Sequence, residues 1–243
     1  MTSPAKAHFQ RTLAAKSSGK PTRGAVAMPT DGPVAGEYRL LLAALGQDLN
    51  ALRNTQSIER KIEAKRTMIE RYRPWVTGAA EADARAQDEI VSTMLVWAID
   101  VHDWPLALTL ARYVLLADIA LPERYNRTPA TLIAEEVAEI AVKEPGSVPL
   151  PVLQDVAHLV DGEDIFDQVR AKLEKALGLA FKAQADAFEP GAESAVAGGK
   201  PALLKAANAH FERALKLHDK CGVKKLIERI EGELKKLAAE SAD

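Results

Sequence analysis

The stretch WAIDVHDWPLA, residues 97–107, sets two carboxylates, Asp100 and Asp103, on either side of His102, with Trp97 and Trp104 bracketing all three. Carboxylates beside an imidazole could hold a divalent metal for phosphodiester cleavage, because a bound metal activates water and neutralises a leaving oxygen. The acids of DGEDIFD (Asp161, Glu163, Asp164 and Asp167) and the pair Glu135 and Glu136 offer similar chemistry to Mg²⁺. Cys221 has His218 three residues before it, a thiol and an imidazole without an identifiable third group to orient them. His8, His102, His158, His210 and His218 are otherwise scattered, and the chain has no HExxH, no CxxC, no GxSxG and no GxxxxGK[ST]. No metal or cofactor and no catalytic residue is therefore assigned, and the chain is not expected to drive work with ATP itself.

The elements around these residues supply a simpler account of most of them. QDEIVSTMLVWAI places Ile90, Met94, Leu95, Trp97, Ala98 and Val101 around a broad surface, the pattern of an inner helix. WPLALTLARYVLLADIAL starts a second helix, with Pro105 in the first turn, where a missing N–H costs nothing. Asp103 then falls at the N-cap of that helix, and His102 at the C-terminal end of the one before. Trp97 and Trp104 pack across the corner. The acids of DGEDIFD, likewise, belong at a helix start, where the dipole favours negative charge.

Apolar residues make up 47% of the 243 and charged residues 27%, which supports a folded core. A single cysteine excludes an internal disulfide and fits a reducing cytoplasm. The longest apolar runs are too short to span a bilayer, and no secretory signal is expected. Charge is uneven: residues 1–78 hold 13 Lys and Arg against 6 Asp and Glu, although the whole chain nets −2. A basic end on an acidic body suits a polyanion partner.

The expected organisation is all-α throughout. Residues 1–32 form a mobile basic arm with Lys6, Arg11, Lys16, Lys20 and Arg23. Residues 33–73 form a helical segment suited to oligomerisation and, on its basic side, to a polyanion. Within it Tyr38, Leu42, Leu45, Leu49 and Leu52 follow at steps of 4, 3, 4 and 3, a short coiled-coil seam suited to pairing with another helix. Beyond Ser57 the apolar face shifts to Ile58, Ile62, Ile69 and Tyr72, and the opposite side is basic, with Arg53, Arg60, Lys61, Lys65, Arg66, Arg71 and Arg73, and Glu59, Glu63 and Glu70 among them. Helical hairpins fill 74–188, with Pro129 opening one helix behind Thr128; 189–201 is a Pro- and Gly-bearing linker loop; 202–243 is a helix pair. Leu177, Gly178 and Phe181, with Ala207, Phe211 and Ala214, resemble a tetratricopeptide helix pair with an expanded connection, in which Gly178 and Ala214 let helices approach. Gly222 is placed to end the second of these helices in a left-handed conformation.

Several segments, in order along nearly the whole chain, resemble the small terminase subunit of temperate tailed phages of the peduovirus type. They are MTSPA with His8, PWVTG at Pro74 to Gly78, QDEIVSTMLVW followed by Asp100 and Asp103, and ARY. After them come RTP at Arg127 to Pro129 with EEVA, and HFERALKL with GVKKLIERIEGELK near the end. The resemblance implies a homo-oligomer, commonly a ring, that recognises viral double-stranded DNA at the cohesive-end site. It also implies regulation of genome packaging by a large ATP-driven subunit. The endonuclease label that the family carries then describes the holoenzyme, to which this chain contributes recognition and regulation. On that footing Lys6, Arg11, Lys16, Lys20, Arg23, Arg60, Lys61, Lys65 and Arg66 are expected to meet DNA, and the Tyr38 to Leu52 seam to drive assembly. Two alternatives stay open: a metal-dependent nuclease acting through the DGEDIFD acids, and a tetratricopeptide-like scaffold that binds only protein.

Overall fold

The computed structural model describes residues 25–189 and 198–240. Among them the chain forms nine α-helices and no strand, the only extended pairing being a parallel bridge between Val26 and Ala86. The fold is all-α. The helices divide between two compact units, residues 1–129 and 130–243.

The first unit holds α1 (Pro33–Asn54), α2 (Ile58–Glu81), α3 (Glu89–Asp100) and α4 (Trp104–Ala117). Every residue of α3 from Ile90 to Ile99 is buried, so α3 is the core about which the other three pack. Tyr72 of α2 meets Trp97 of α3 edge to face, ring centroids 6.2 Å apart, a geometry aromatic quadrupoles favour. Each helix start has its own chemistry. The Ser57 hydroxyl accepts from the Arg60 amide (3.3 Å), and Asp103 accepts from the Leu106 amide (3.2 Å). Ahead of α1 the chain lies along the α2–α3 loop, where Val26 donates to the Arg85 carbonyl and accepts from the Gln87 amide, both at 2.7 Å.

Pro74 marks the one clear departure in this unit. The sequence places a boundary there, whereas α2 runs through it for seven more residues to Glu81. Pro74 itself is exposed, while Trp75, Val76, Gly78 and Ala79 beyond it are buried. Burying that apolar turn outweighs one lost backbone hydrogen bond, and the Thr77 hydroxyl donates to the Arg73 carbonyl (2.8 Å) in the disturbed turn.

The second unit comprises α5 (Pro129–Lys143, its first residue belonging to the preceding unit), α6 (Leu150–Leu159), α7 (Asp167–Asp186), α8 (Gly199–Leu217) and α9 (Lys224–Glu240). Pro129 opens α5 as expected. Glu139 of α5 accepts from Lys143 (2.5 Å) and from Lys172 of α7 (2.8 Å), and these two ammonium groups hold its carboxyl down to about 2. Helices α7 and α8 form a close hairpin. A Cβ added to Gly178 would stand 2.5 Å from the Phe211 ring, so glycine is what permits this approach. Val223, just ahead of α9, and Ile230 of α9, with Leu226, Ile227 and Leu234 at the margin, lie on the same cluster as Phe211 and Leu204. Gly222 adopts φ +79°, in the turn that launches α9 rather than directly at the end of α8.

Candidate nucleic-acid interface

The corner at residues 97–107 is a capped helix junction. His102 stands in the left-handed region at φ +62°. Its amide donates to the Ile99 carbonyl (3.0 Å), that of Asp103 donates to Ala98 (2.8 Å), and together they close the end of α3. The imidazole stacks on Trp104, centroids 5.2 Å apart. Both flanking carboxylates face cations of α2. Asp100 Oδ2 lies 2.5 Å from Lys65 Nζ, and Asp103 Oδ2 accepts from Arg73 Nη2 at 2.8 Å while Oδ1 caps α4.

These pairs sort the basic side of α2 into two classes. Lys65 is 18% exposed and tied to Asp100, and Arg66 is exposed and paired with Glu63 one turn back (3.0 Å). Farther along, Arg71 bonds Asp48 of α1 (3.1 Å), and Arg73 bonds both Glu70 and Asp103. Arg60 and Lys61, in the first turn, have side chains with no ion pair among the described residues, and Arg60 is exposed. An anion arriving there also meets the positive end of the helix dipole. Lys6, Arg11, Lys16, Lys20 and Arg23 lie outside the described residues.

The expected assembly seam is largely turned inward. Leu45 is 1% exposed and Leu52 7%, while Leu42 and Leu49 are half-buried. Tyr38 stacks on Trp75 at 5.8 Å and its hydroxyl accepts from the Glu89 amide (3.2 Å). Burial, with the Asp88 charge nearby, pushes that hydroxyl up to about 12. A 4-3 apolar repeat has the same spacing whether the opposing helix comes from the same chain or another; here α2 and α3 of the same chain face it.

Two buried polar centres have no counterpart in the sequence reading. Asp48, 8% exposed, accepts from the Tyr72 hydroxyl (2.6 Å) as well as from Arg71; burial and then Asp48 raise the Tyr72 hydroxyl well above its ordinary range. Asp88, 1% exposed, accepts the Ile90 and Val91 amides at the start of α3 (2.8 and 3.1 Å) and the Trp75 indole N–H (2.7 Å). Asp48 did leave a trace, as a carboxylate within the apolar stripe of α1. The partner of Asp88, thirteen residues upstream, follows no helical spacing.

No group of three or more His, Cys, Asp or Glu side chains converges as a metal site among the described residues. Asp161, Glu163, Asp164 and Asp167 are exposed around the start of α7. Cys221 sits half-buried in the α8–α9 turn, its carbonyl accepting from Lys175 (2.9 Å). No helix of the described residues is long and apolar enough to cross a membrane.

Asp103→Ala removes both a helix cap and a partner of Arg73. Its expected cost is about 1–2 kcal/mol, read as a lower urea midpoint at unchanged slope. Asp103→Asn, which keeps the capping oxygen, is expected to lose less.

Helical packing, basic side chains toward the amino end and paired acids at the helix corners together define an all-α protein whose open cations are the feature to explain. Residues 42–168 match the phage small terminase subunit family. The chain is 35% identical over 241 residues to the terminase, endonuclease subunit of Escherichia phage P2, covering 97% of this chain and 87% of that one. It is 26% identical over 208 residues to the probable terminase, endonuclease subunit of Haemophilus phage HP1, covering 83% and 72%. No solved structure matches. The chain belongs to the phage small terminase subunit family.

Proposed function

We propose that the chain recognises viral double-stranded DNA at the cohesive-end site and regulates packaging by a large ATP-driven terminase subunit. Family membership supports the terminase role. The observation that carries the DNA contact is the first turn of α2, where Arg60 and Lys61 stay outside the ion pairs that bind Lys65, Arg66, Arg71 and Arg73. The arm cations Lys6, Arg11, Lys16, Lys20 and Arg23 add to this contact, and Arg66 joins by exchanging its weak exposed partner for phosphate. Lys65 acts mainly by bracing α2 to the α3–α4 corner. Assembly into a homo-oligomer, with ring closure, multiplies a modest basic surface without any further motif. The Tyr38 to Leu52 seam contributes to it through the open edge at Leu42 and Leu49.

Retardation of cohesive-end DNA by the full chain across a salt series tests this. The double variant Arg60→Gln/Lys61→Gln is expected to bind about tenfold more weakly, with a log–log salt slope shallower by about 2. A parent chain that fails to retard DNA even at low salt overturns the role and favours a protein-binding scaffold. Similarity to the endonuclease subunits of P2 and HP1 favours one second reading, a share in cleavage. Cutting by the chain alone with Mg²⁺, abolished when Asp161, Glu163, Asp164 and Asp167 are neutralised, would place the nuclease here rather than in the holoenzyme.

A further inference from the structure

We infer that helix α9 carries a second duplex-contact surface, formed by Lys225, Arg229 and Lys236 about the bare turn at Gly232. Helix α9, with Val223 just ahead of it, buries Val223 and Ile230 and half-buries Leu226, Ile227, Leu234 and Leu237. At 100° per residue these occupy one side. Lys225, Arg229 and Lys236 fall within about 40° of one another on the opposite flank, and all three are exposed.

Their charge is uncommitted. None has an ion-pair partner among the described residues, whereas four cations of α2 each have one. The acid best placed to neutralise Arg229, one turn on at Glu233, is held instead by Lys200 of α8 at 2.7 Å, with Lys182 of α7 at 3.9 Å. A cation already in a pair must give up its partner to take a phosphate. An unpaired one gives up only water and mobile ions, so α9 meets a polyanion at lower cost than most of α2.

Gly232 shapes the middle of this stripe. It sits inside a helix, exposed, with nothing within 4 Å of where a Cβ would stand. Packing does not require glycine there, and glycine weakens a helix interior relative to alanine. What its absent side chain provides is a low saddle between Arg229 and Lys236, into which a phosphate backbone can settle. From Lys225 to Lys236 the helix rises about 16 Å; duplex DNA carries one phosphate per ~1.7 Å of its axis, so several lie within reach.

This rests on the DNA-recognition role proposed above, and the test separates the two. The full chain and the triple variant Lys225→Gln/Arg229→Gln/Lys236→Gln are titrated against a duplex over a salt series, beside Arg60→Gln/Lys61→Gln. The triple variant is expected to bind at least tenfold more weakly, with a log–log slope shallower by about 2.7 and an unchanged melting curve. Gly232→Glu, a better helix former that sets a carboxylate in the saddle, is expected to weaken binding while leaving all three cations in place. A parent that binds no duplex defeats both assignments. A parent whose slope drops with the α2 variant but not with either α9 variant defeats this one alone. Loss of large-subunit association with the DNA slope intact would assign the stripe to an acidic protein surface and overturn the duplex assignment.

Discussion

Asp88→Ala lowers the stability of the first unit by about 2–4 kcal/mol, because one buried carboxylate serves three donors. The substitution strips the cap from the Ile90 and Val91 amides at the start of α3 and takes the acceptor from the Trp75 indole N–H. Those donors lie where water does not reach, so each loses an acceptor without replacement. Asp88→Asn separates the two roles. One oxygen still caps α3, while an amide N–H₂ turned toward Trp75 sets donor against donor. The pH dependence distinguishes the variants further. Burial raises the Asp88 carboxyl to about 6, against the opposing pull of its three hydrogen bonds. The folded state therefore binds a proton that the unfolded chain releases near pH 4. Stability from this group is complete below about pH 4 and is lost as pH rises through 6, by an amount of the order of 2–3 kcal/mol. Urea denaturation of wild type and Asp88→Asn between pH 4.5 and 7 should show the difference narrowing as pH rises. A constant difference would mean that the carboxyl titrates alike in both states.

Local chemistry was legible in the sequence wherever cause and effect lie within one or two turns. Asp103 as a cap, Pro129 as a helix start and the near-continuous burial of α3 follow from residue type and spacing. A close helix approach at Gly178 also followed from residue type, although that Phe211 is the side chain filling the space above it is seen only in the packed hairpin. Partners far apart in sequence were less visible. Lys65 and Arg66 look alike in a basic stretch, yet Asp100, 35 residues on, engages the first, while the second has only the exposed Glu63 one turn back. The Leu seam shows the same limit, for spacing gives the existence of an apolar face and not the identity of what covers it. At Pro74 a local rule lost to tertiary burial, because Trp75 and Val76 are worth more inside the core than the helix loses at proline.

In the second unit the largest expected effect comes from filling the space that Gly178 leaves. Its absent Cβ would meet Cε1 and Cδ1 of Phe211 at 2.5 and 2.6 Å, well inside van der Waals contact. Phe211 is fully buried in the cluster with Leu204, Ala207 and Ile230, so the ring has no free space into which to swing. Gly178→Ala sets a gain of about 1 kcal/mol in helix propensity against this overlap and is expected to come out destabilising by about 1–2 kcal/mol. Gly178→Leu, with no compensating room, is expected to cost about 3 kcal/mol or more and to separate α7 from α8. The signature is a coupling. Phe211→Leu alone should destabilise by opening a cavity, but the Gly178→Ala/Phe211→Leu pair should be more stable than the sum of the singles predicts, by about 1 kcal/mol. Denaturation of the four chains closes the cycle, and hydrogen exchange on the α7 and α8 amides places the loss in that hairpin. Additive singles would mean that the helices already stand far enough apart for a methyl group, and that glycine at 178 serves something other than their approach.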